Sequence, residues 1–396
     1  MLIEFSVENY RSINKKATLS LLASKDKSID KNLIENKSLK GDKLLGSALI
    51  YGANASGKTN MLMALNFFKL LVMKSHEHQK GVKIIFNPFK LDKKSLKEPS
   101  KFEVVFIKNS TKYIYGISYT SDKVIDEYLY CFPEGRKSLI FERKNTKEFR
   151  FTKDKKLQGF LAEKTPENVL YLSRSIQLNY KGTSEAFDWF KDNLRVIGPT
   201  EGLEPEFTAN LLKDKSLKKV ILKALLEADV GIDNISATIK KVSLEDLPPD
   251  FPAEIKNFIS QGKLAGKQAK INTEHKGVSF DFNEESEGTR RIFSLIGPWI
   301  DALKNGRILV VDELDTKLHH LLNVFLIKLF HNPGQNRSNA QLIFTTHNVN
   351  LLDQDLFRRD QIWFTEKDNN DSTDLYSLVE FSPRKDKNIQ KGYLAG

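Results

Sequence analysis

The chain has 396 residues, 40% hydrophobic and 29% charged, with a formal net charge of +11. No apolar run reaches the roughly 18 residues that a membrane span needs, and the opening MLIEFSVENY carries Glu4 and no basic stretch, so it is not a secretory signal. Cys131 is the only cysteine, which excludes an intrachain disulfide and a cysteine-based zinc site and accords with a reducing cytoplasm. The positive balance admits contact with RNA or DNA, although the lysines are interleaved with Asp and Glu as on a solvated surface.

In chain order, residues 2–7 alternate apolar and polar and predict a strand, with a second over 17–22. Residues 24–43 are polar and lysine-rich and read as a surface loop. An apolar strand over 47–51 runs into a glycine-rich turn. After it Met61, Leu62, Ala64, Leu65, Phe67, Phe68, Leu70 and Leu71 recur at helical spacing. Segments 84–86, 102–107, 112–119, 124–132 and 138–143 predict successive antiparallel strands, with Asn109-Ser110, Ser121-Asp122 and Pro133-Glu134-Gly135 as turns. Residues 157–226 predict mostly helix, including 184–194 and 209–226, and Pro248, Pro249 and Pro252 break the stretch that follows. From Gly277 the pattern returns to a strand, a helix over 291–303, an apolar strand over 308–311, a helix over 317–330 and a strand over 341–345. The two ends, 1–82 and 281–396, therefore predict one α/β nucleotide-binding domain. Residues 83–280 predict an insertion made of a β-meander and a helical lobe.

The sharpest motif is Gly52-Ala53-Asn54-Ala55-Ser56-Gly57-Lys58-Thr59, which fits G-x-x-x-x-G-K-[ST] between an apolar strand and a helix. Such a loop turns backbone N–H groups inward, and the helix N-terminus adds positive potential, so it cradles phosphates. Gly52, Asn54, Ser56, Gly57, Lys58, Thr59 and the following Asn60 are the expected ATP-binding set. Lys58 reaches the terminal phosphates and Thr59 offers a hydroxyl to Mg²⁺. The second motif is Ile308-Leu309-Val310-Val311-Asp312-Glu313. Acids at a strand end are common, but beside a phosphate loop they acquire roles: Asp312 holds Mg²⁺ through water and Glu313 orients or deprotonates the attacking water. The third is Glu285-Ser286-Glu287-Gly288-Thr289-Arg290, where Ser286 caps the next helix and Gly288 permits close approach of a phosphate. The fourth is Phe344-Thr345-Thr346-His347-Asn348, which places His347 at the end of another apolar strand, where it can bond a γ-phosphate. His76 and His78 around Glu77 leave a metal site open but without further ligands, and His319 and His320 read as packing or capping groups.

With these motifs in this order, the chain resembles the SMC/RecF/OLD branch of ABC ATPases. The resemblance implies a P-loop ATPase head of ABC type, closed by a head-to-tail dimer in which Ser286 and Gly288 of one copy grip the γ-phosphate held by the other. It also implies that Leu314-Asp315 couples the two sites, that His347 senses hydrolysis, and that Arg11 and Ser12 lie beside the adenine. Asn87-Pro88-Phe89 stands where this branch links the site to the middle lobe, without the usual Gln. A closer likeness runs through Leu225 to Ile232, Glu285 to Phe293, Val311 to His319, Gln341 to His347, Leu356 to Phe364 and Tyr376 to Leu378. These segments resemble the RloA-like ATPases of bacterial restriction and abortive-infection loci, a group neighbouring the PARIS anti-phage ATPase AriA. The signature departs from Leu-Ser-Gly-Gly-Gln, and His320 stands where Pro is common. Such proteins usually continue some tens of residues beyond the Gly392-Tyr393-Leu394-Ala395-Gly396 at which the chain stops, and no Toprim nuclease segment follows. The implied function is a cytoplasmic, Mg²⁺-dependent ATPase switch that controls an effector protein, a nuclease, in anti-phage defence. The alternative is a RecF-like, ATP-dependent DNA repair clamp; a stand-alone nuclease would need a metal cluster that the sequence does not offer.

Overall fold

The apolar runs Ser47–Gly52 and Ile308–Val311 are fully buried strands, as expected where a parallel sheet is covered on both faces. Between them lies Gln341–Thr345. The structure, a computed structural model, describes residues 1–26, 28–198, 204–227, 231–241, 267–381 and 393. Residues 228–230, the three prolines at 248, 249 and 252, and 392 and 394–396 lie outside the described residues. The chain divides into two units, Met1–Pro199 with Ala302–Asp315 and Val324–Gly396, and Thr200–Asp301 with Thr316–Asn323.

The first unit holds two large sheets. One has six strands in the order Leu194–Ile197, Ile308–Val311, Gln341–Thr345, Ser47–Gly52, Ile362–Lys367 and Thr373–Ser377. The first five run parallel and the last returns antiparallel. The other has seven antiparallel strands, Glu148–Phe151, Ser138–Lys144, Val124–Phe132, Thr111–Tyr119, Ser100–Lys108, Leu2–Glu8 and Ala17–Ser20. Helix Lys58–Lys74 lies in the core shared by both sheets and buries Met61, Leu62, Ala64, Leu65, Phe68, Leu71 and Val72. Phe68 stacks on Tyr115 of the antiparallel sheet at 5.5 Å. A buried amide ties the sheets together: Gln341 Oε1 accepts from Leu2 N–H at 2.7 Å, and its Nε2 donates to Leu2 O and Leu45 O. Glu127, fully buried, accepts from the N–H groups of Tyr171 and Leu172 and from the Tyr115 hydroxyl, so a carboxylate meets the positive end of helix Tyr171–Gln177.

Four segments differ from the sequence reading. The strands read as an inserted meander share a sheet with the N-terminal strands, because Leu2–Glu8 pairs antiparallel with Ser100–Lys108. Residues 24–43 contain the strand Leu33–Glu35, paired with Lys43–Leu45, around a buried Asn32 that donates to Leu356 O and Gln361 Oε1. The segment stays polar at its surface and is tied down at a few points, by Asn32 Nδ2 and by Arg358 donating to Asp26 O and Ser28 O. Residues 84–86 form no ladder; Ile84 is buried and donates to Ser121 O, while Ile85 is exposed. The helix read over 184–194 ends in the parallel strand Leu194–Ile197, which pairs with Ile308–Val311.

In the second unit, Lys267–His275 is the middle strand of a three-stranded antiparallel sheet, between Asn234–Lys241 and Val278–Asp281. Helix Glu287–Asn305 begins there and carries Pro298 inside it. A proline removes one N–H and crowds the preceding turn. Thr208 answers this: its hydroxyl accepts from Gly297 N–H at 3.1 Å and faces Ser294 O at 3.5 Å. Among the described residues no helix is long and apolar enough to cross a membrane.

His331 provides a test of the core of the first unit. It is 2% exposed, with Nε2 2.8 Å from Ser47 Oγ, and burial holds its pKa down at about 3. The unfolded ring has a pKa near 6.5, so between about pH 6.5 and 3 the unfolded chain binds a proton that the folded chain refuses. Its contribution is present above that window and is lost as pH falls, by several kcal/mol in total at ~1.4 kcal/mol per pH unit. We expect His331→Gln to flatten the loss of denaturant midpoint between pH 6.5 and 4; an acid sensitivity identical to wild type counts against it.

Candidate nucleotide-binding site

Parallel sheets bind ligands at the carboxyl ends of their strands. Here neighbouring strands end in Asp312-Glu313, Thr346-His347 and the Gly52–Thr59 loop. Gly57 has φ +113°, and a Cβ built on it would overlap the Thr373 side chain, so only glycine fits the start of helix Lys58–Lys74. Lys58 is 6% exposed and its ammonium donates to Gly52 O at 2.7 Å and Ala53 O at 3.0 Å, within the curl of the loop. Burial lowers its pKa, opposed by the carboxylates of Asp312, Glu313 and Asp315. Lys58 and three acids given different roles from the sequence, Asp312, Glu313 and Asp315, are therefore electrostatic neighbours.

Thr345 organises the acids. Its hydroxyl donates to Asp312 Oδ1 at 2.5 Å and accepts from Glu313 N–H at 2.7 Å. Glu313 sits at φ +50°, a conformation a non-glycine residue holds at a cost, and the bond from its N–H to Thr345 helps to hold it. Asp312 is 3% exposed and its Oδ2 is buried without a hydrogen-bond partner. A buried, unpaired carboxylate oxygen is costly and fits a cation with its bound water, so the donor set accommodates Mg²⁺. Asp315 accepts from His347 N–H with both oxygens, each at 3.3 Å, while the His347 side chain is exposed.

The hairpin Ile362–Lys367 with Thr373–Ser377 buttresses the loop from the other side. Thr365 Oγ1 lies 2.7 Å from Ser56 Oγ, and Thr373 Oγ1 donates to Ser56 O at 2.7 Å and lies 2.8 Å from Ser12 Oγ. Ser12 also receives a bond from Asn60 Nδ2 at 2.7 Å. Arg11 has φ +50° and donates its N–H to Asn87 O at 2.7 Å. Arg11, Ser12, Asn60, Asn87 and Phe89 line an open cleft of about 390 Å³ beside the loop. Asn54 is exposed and Thr59 half-buried at the loop. Thr345, Thr365 and Thr373 were not singled out from the sequence. Thr345 carried a legible signal, a hydroxyl ending an otherwise apolar strand before Thr346-His347; the other two carried none.

The remaining nominated residues belong to the second unit. Ser286 caps helix Glu287–Asn305: Thr289 N–H donates to Ser286 Oγ at 3.1 Å, and the two hydroxyls lie 2.8 Å apart. A Cβ on Gly288 would sit 3.1 Å from Lys317 O, so glycine there lets the Lys317 backbone approach closely. Lys317 also pairs with Glu287 at 2.9 Å.

A family model described as "AAA domain, putative AbiEii toxin, Type IV TA system" matches residues 47–353. The chain belongs to that family. Its fold is that of a nucleotide-binding P-loop ATPase, and the phosphate loop and acidic strand end both lie inside the matched span. Similar solved structures include "Crystal structure of the SmcHead bound to the C-winged helix domain of ScpA", at 13% identity over 95% of this chain and 97% of that one, with a TM-score of 0.45. The "SMC head domain from Thermotoga maritima" matches at 12% identity over 95% and 98%, with a TM-score of 0.41. A Smc head domain bound to the C-terminal domain of ScpA derived from Pyrococcus furiosus matches at 12% identity over 100% and 98%, with a TM-score of 0.38. No curated protein matches the chain.

We expect Thr345→Val to lower stability by roughly 1–3 kcal/mol, because it leaves Asp312 Oδ1 and Glu313 N–H without this partner at nearly constant volume. Urea unfolding measures it, with Thr345→Ser expected to restore most of the loss. A Val variant within about 0.5 kcal/mol of wild type, the ordinary range for neutral substitutions, contradicts the bridging role.

Proposed function

We propose that this chain is an ATP-driven switch of ABC type, which pairs head to tail with a second copy and controls an effector nuclease in bacterial anti-phage defence. The observation that carries the ATPase reading is the meeting of Lys58 with Asp312, Glu313 and Asp315 at the strand ends, together with the unpartnered Asp312 Oδ2. Lys58 and the loop N–H groups would hold the β- and γ-phosphates, and Thr59 and Asp312 would hold Mg²⁺. The metal, when bound, screens the charge of the phosphates being separated. Glu313 takes the proton of the attacking water as base or orients it. Arg11 and Ser12 lie on the cleft that would take the base and ribose, and His347 lies where it can respond to the γ-phosphate.

Ser286 and Gly288 open a helix N-terminus, a group suited to phosphate; on this reading they complete the site of the partner copy. The defence assignment is supported by the family description, which names a "putative AbiEii toxin, Type IV TA system". A switch also needs an output. On this reading the output lies in an effector carried by another protein.

Lys58→Ala removes the phosphate-facing ammonium, which the structure buries on the loop carbonyls instead of leaving it surface-facing. We expect ATP binding and turnover to be lost with circular dichroism unchanged; affinity and turnover within error of wild type would sink the assignment. Glu313→Gln keeps Asp312 and the shape of the site but removes the base, so ATP should hold the variant as a dimer in light scattering. A variant and a wild type that both stay monomeric at saturating ATP count against the composite site. Binding of the neighbouring gene's product to these two forms should shift with ATP by roughly 5–150-fold, the usual span of allosteric coupling. No binding in any state, with ATP-dependent DNA binding by this chain alone, selects the repair-clamp reading.

A further inference from the structure

The second unit contains a polar clamp that the proposed site does not use. Glu285 directly precedes Ser286, and its Oε1 accepts from the Thr273 hydroxyl and lies 2.7 Å from His275 Nε2. The other ring nitrogen, Nδ1, lies 2.8 Å from Gly231 O. A carbonyl and a carboxylate only accept, so both nitrogens are placed to donate, as those of an imidazolium do, and the bond to Glu285 raises the pKa of the ring. Glu285 and Asp233 are the carboxylates acting on it. Thr273 is fully buried, and the Glu285 side chain is 9% exposed.

The path from this clamp to Ser286 is stiff. The turn Phe282–Glu284 is closed by a capping box in which Asp281 Oδ1 accepts from Asn283 N–H and Glu284 Oε2 accepts from Asp281 N–H. Phe282 packs edge-on against Phe293 of the helix that Ser286 caps, at 5.0 Å. The Glu285 carboxylate is thus held on the hairpin by a cation and a hydroxyl, one residue from the serine assigned to a phosphate. Left loose, that carboxylate is free to approach the serine's ligand, where an anion repels phosphate.

We infer that Thr273 and His275 are positioning residues for Ser286: they neutralise and pin Glu285 so that the helix N-terminus can receive an anionic ligand, the γ-phosphate carried by a second copy of this chain. The inference rests on the proposed composite site. It assigns to the hairpin a role separate from nucleotide binding at the Gly52–Thr59 loop, and it makes the charge of Glu285, not its bulk, the quantity that matters.

The test uses the full chain in four forms: wild type, His275→Ala, Glu285→Gln, and the two together, each also with Glu313→Gln for pairing. His275→Ala should leave single-chain ATP affinity unchanged but lower turnover and ATP-held pairing by roughly tenfold, a loss in kcat more than in KM. Glu285→Gln still accepts from Thr273 but carries no charge, so it should pair and turn over as wild type does and should restore the His275→Ala form to within about twofold. A double variant as weak as His275→Ala alone shows a merely structural histidine and overturns the inference, as does a His275→Ala form that pairs normally. If Glu313→Gln itself never pairs on ATP, the composite site falls and this inference falls with it.

Discussion

The site depends on one hydroxyl between two parallel strands. Thr345 ends Gln341–Thr345 and bridges to both acids that end the neighbouring strand, through Asp312 Oδ1 and Glu313 N–H. Two consequences follow from its being a single group. One lone pair and one proton of the same oxygen are committed to two different residues, so the geometry of Asp312 and that of Glu313 cannot be adjusted independently. The next residues, Thr346 and His347, continue from the same strand, and Asp315 reaches back to the His347 N–H. A displacement of His347 therefore has a short covalent and hydrogen-bonded route to Glu313. On the proposed reading this is how loss of a γ-phosphate would be felt by the segment 312–315, and from there by whatever residues 316 and 317 touch.

The phosphate loop is held from its other side by a second set of threonines. Thr365 and Thr373 reach Ser56, and Thr373 reaches Ser12. Threonine suits this place for two reasons: it is a strand former, and its hydroxyl can close a loop that contributes few side chains of its own. Gly57 shows how tight the closure is, since any side chain there would occupy the space of Thr373. The loop is thus a pocket made as much by residues 362–377 as by the motif itself.

Much of this was legible in the sequence, and the limits have physical causes. Strands 308–311 and 341–345 matched their expected bounds because buried parallel strands are unbroken apolar runs that stop at polar motif residues. The loop, both acids and Ser286 could be nominated because the chemistry expected of them demands fixed spacings, and Ser286 does cap its helix. Pairing of Leu2–Glu8 with Ser100–Lys108 was not found, because a contact across nearly a hundred residues leaves no local pattern. The hairpin Leu33–Glu35 with Lys43–Leu45 was hidden because its strands are only three residues long and the connection between them is polar, with Lys37 and Lys40. The supporting threonines and the Glu285 clamp were missed for a common reason: each is an ordinary polar residue whose role comes only from what the fold sets beside it.

On the proposed reading, charge gives a reason for both a metal and a second copy. One ammonium, on Lys58, acts with three carboxylates, on Asp312, Glu313 and Asp315. A nucleotide triphosphate brings further negative charge into this excess of acid, so the loop and lysine alone face a strong opposing field. A divalent cation at Asp312 removes part of it and makes binding of metal and phosphate mutually dependent. What remains favours any positive pole brought from outside, and a helix N-terminus capped by Ser286 is one. Such a pole helps only if no acid accompanies it, and Glu285 lies one residue away. On the proposed reading, the Glu285 carboxylate must therefore be neutralised before that helix N-terminus can help to hold a phosphate.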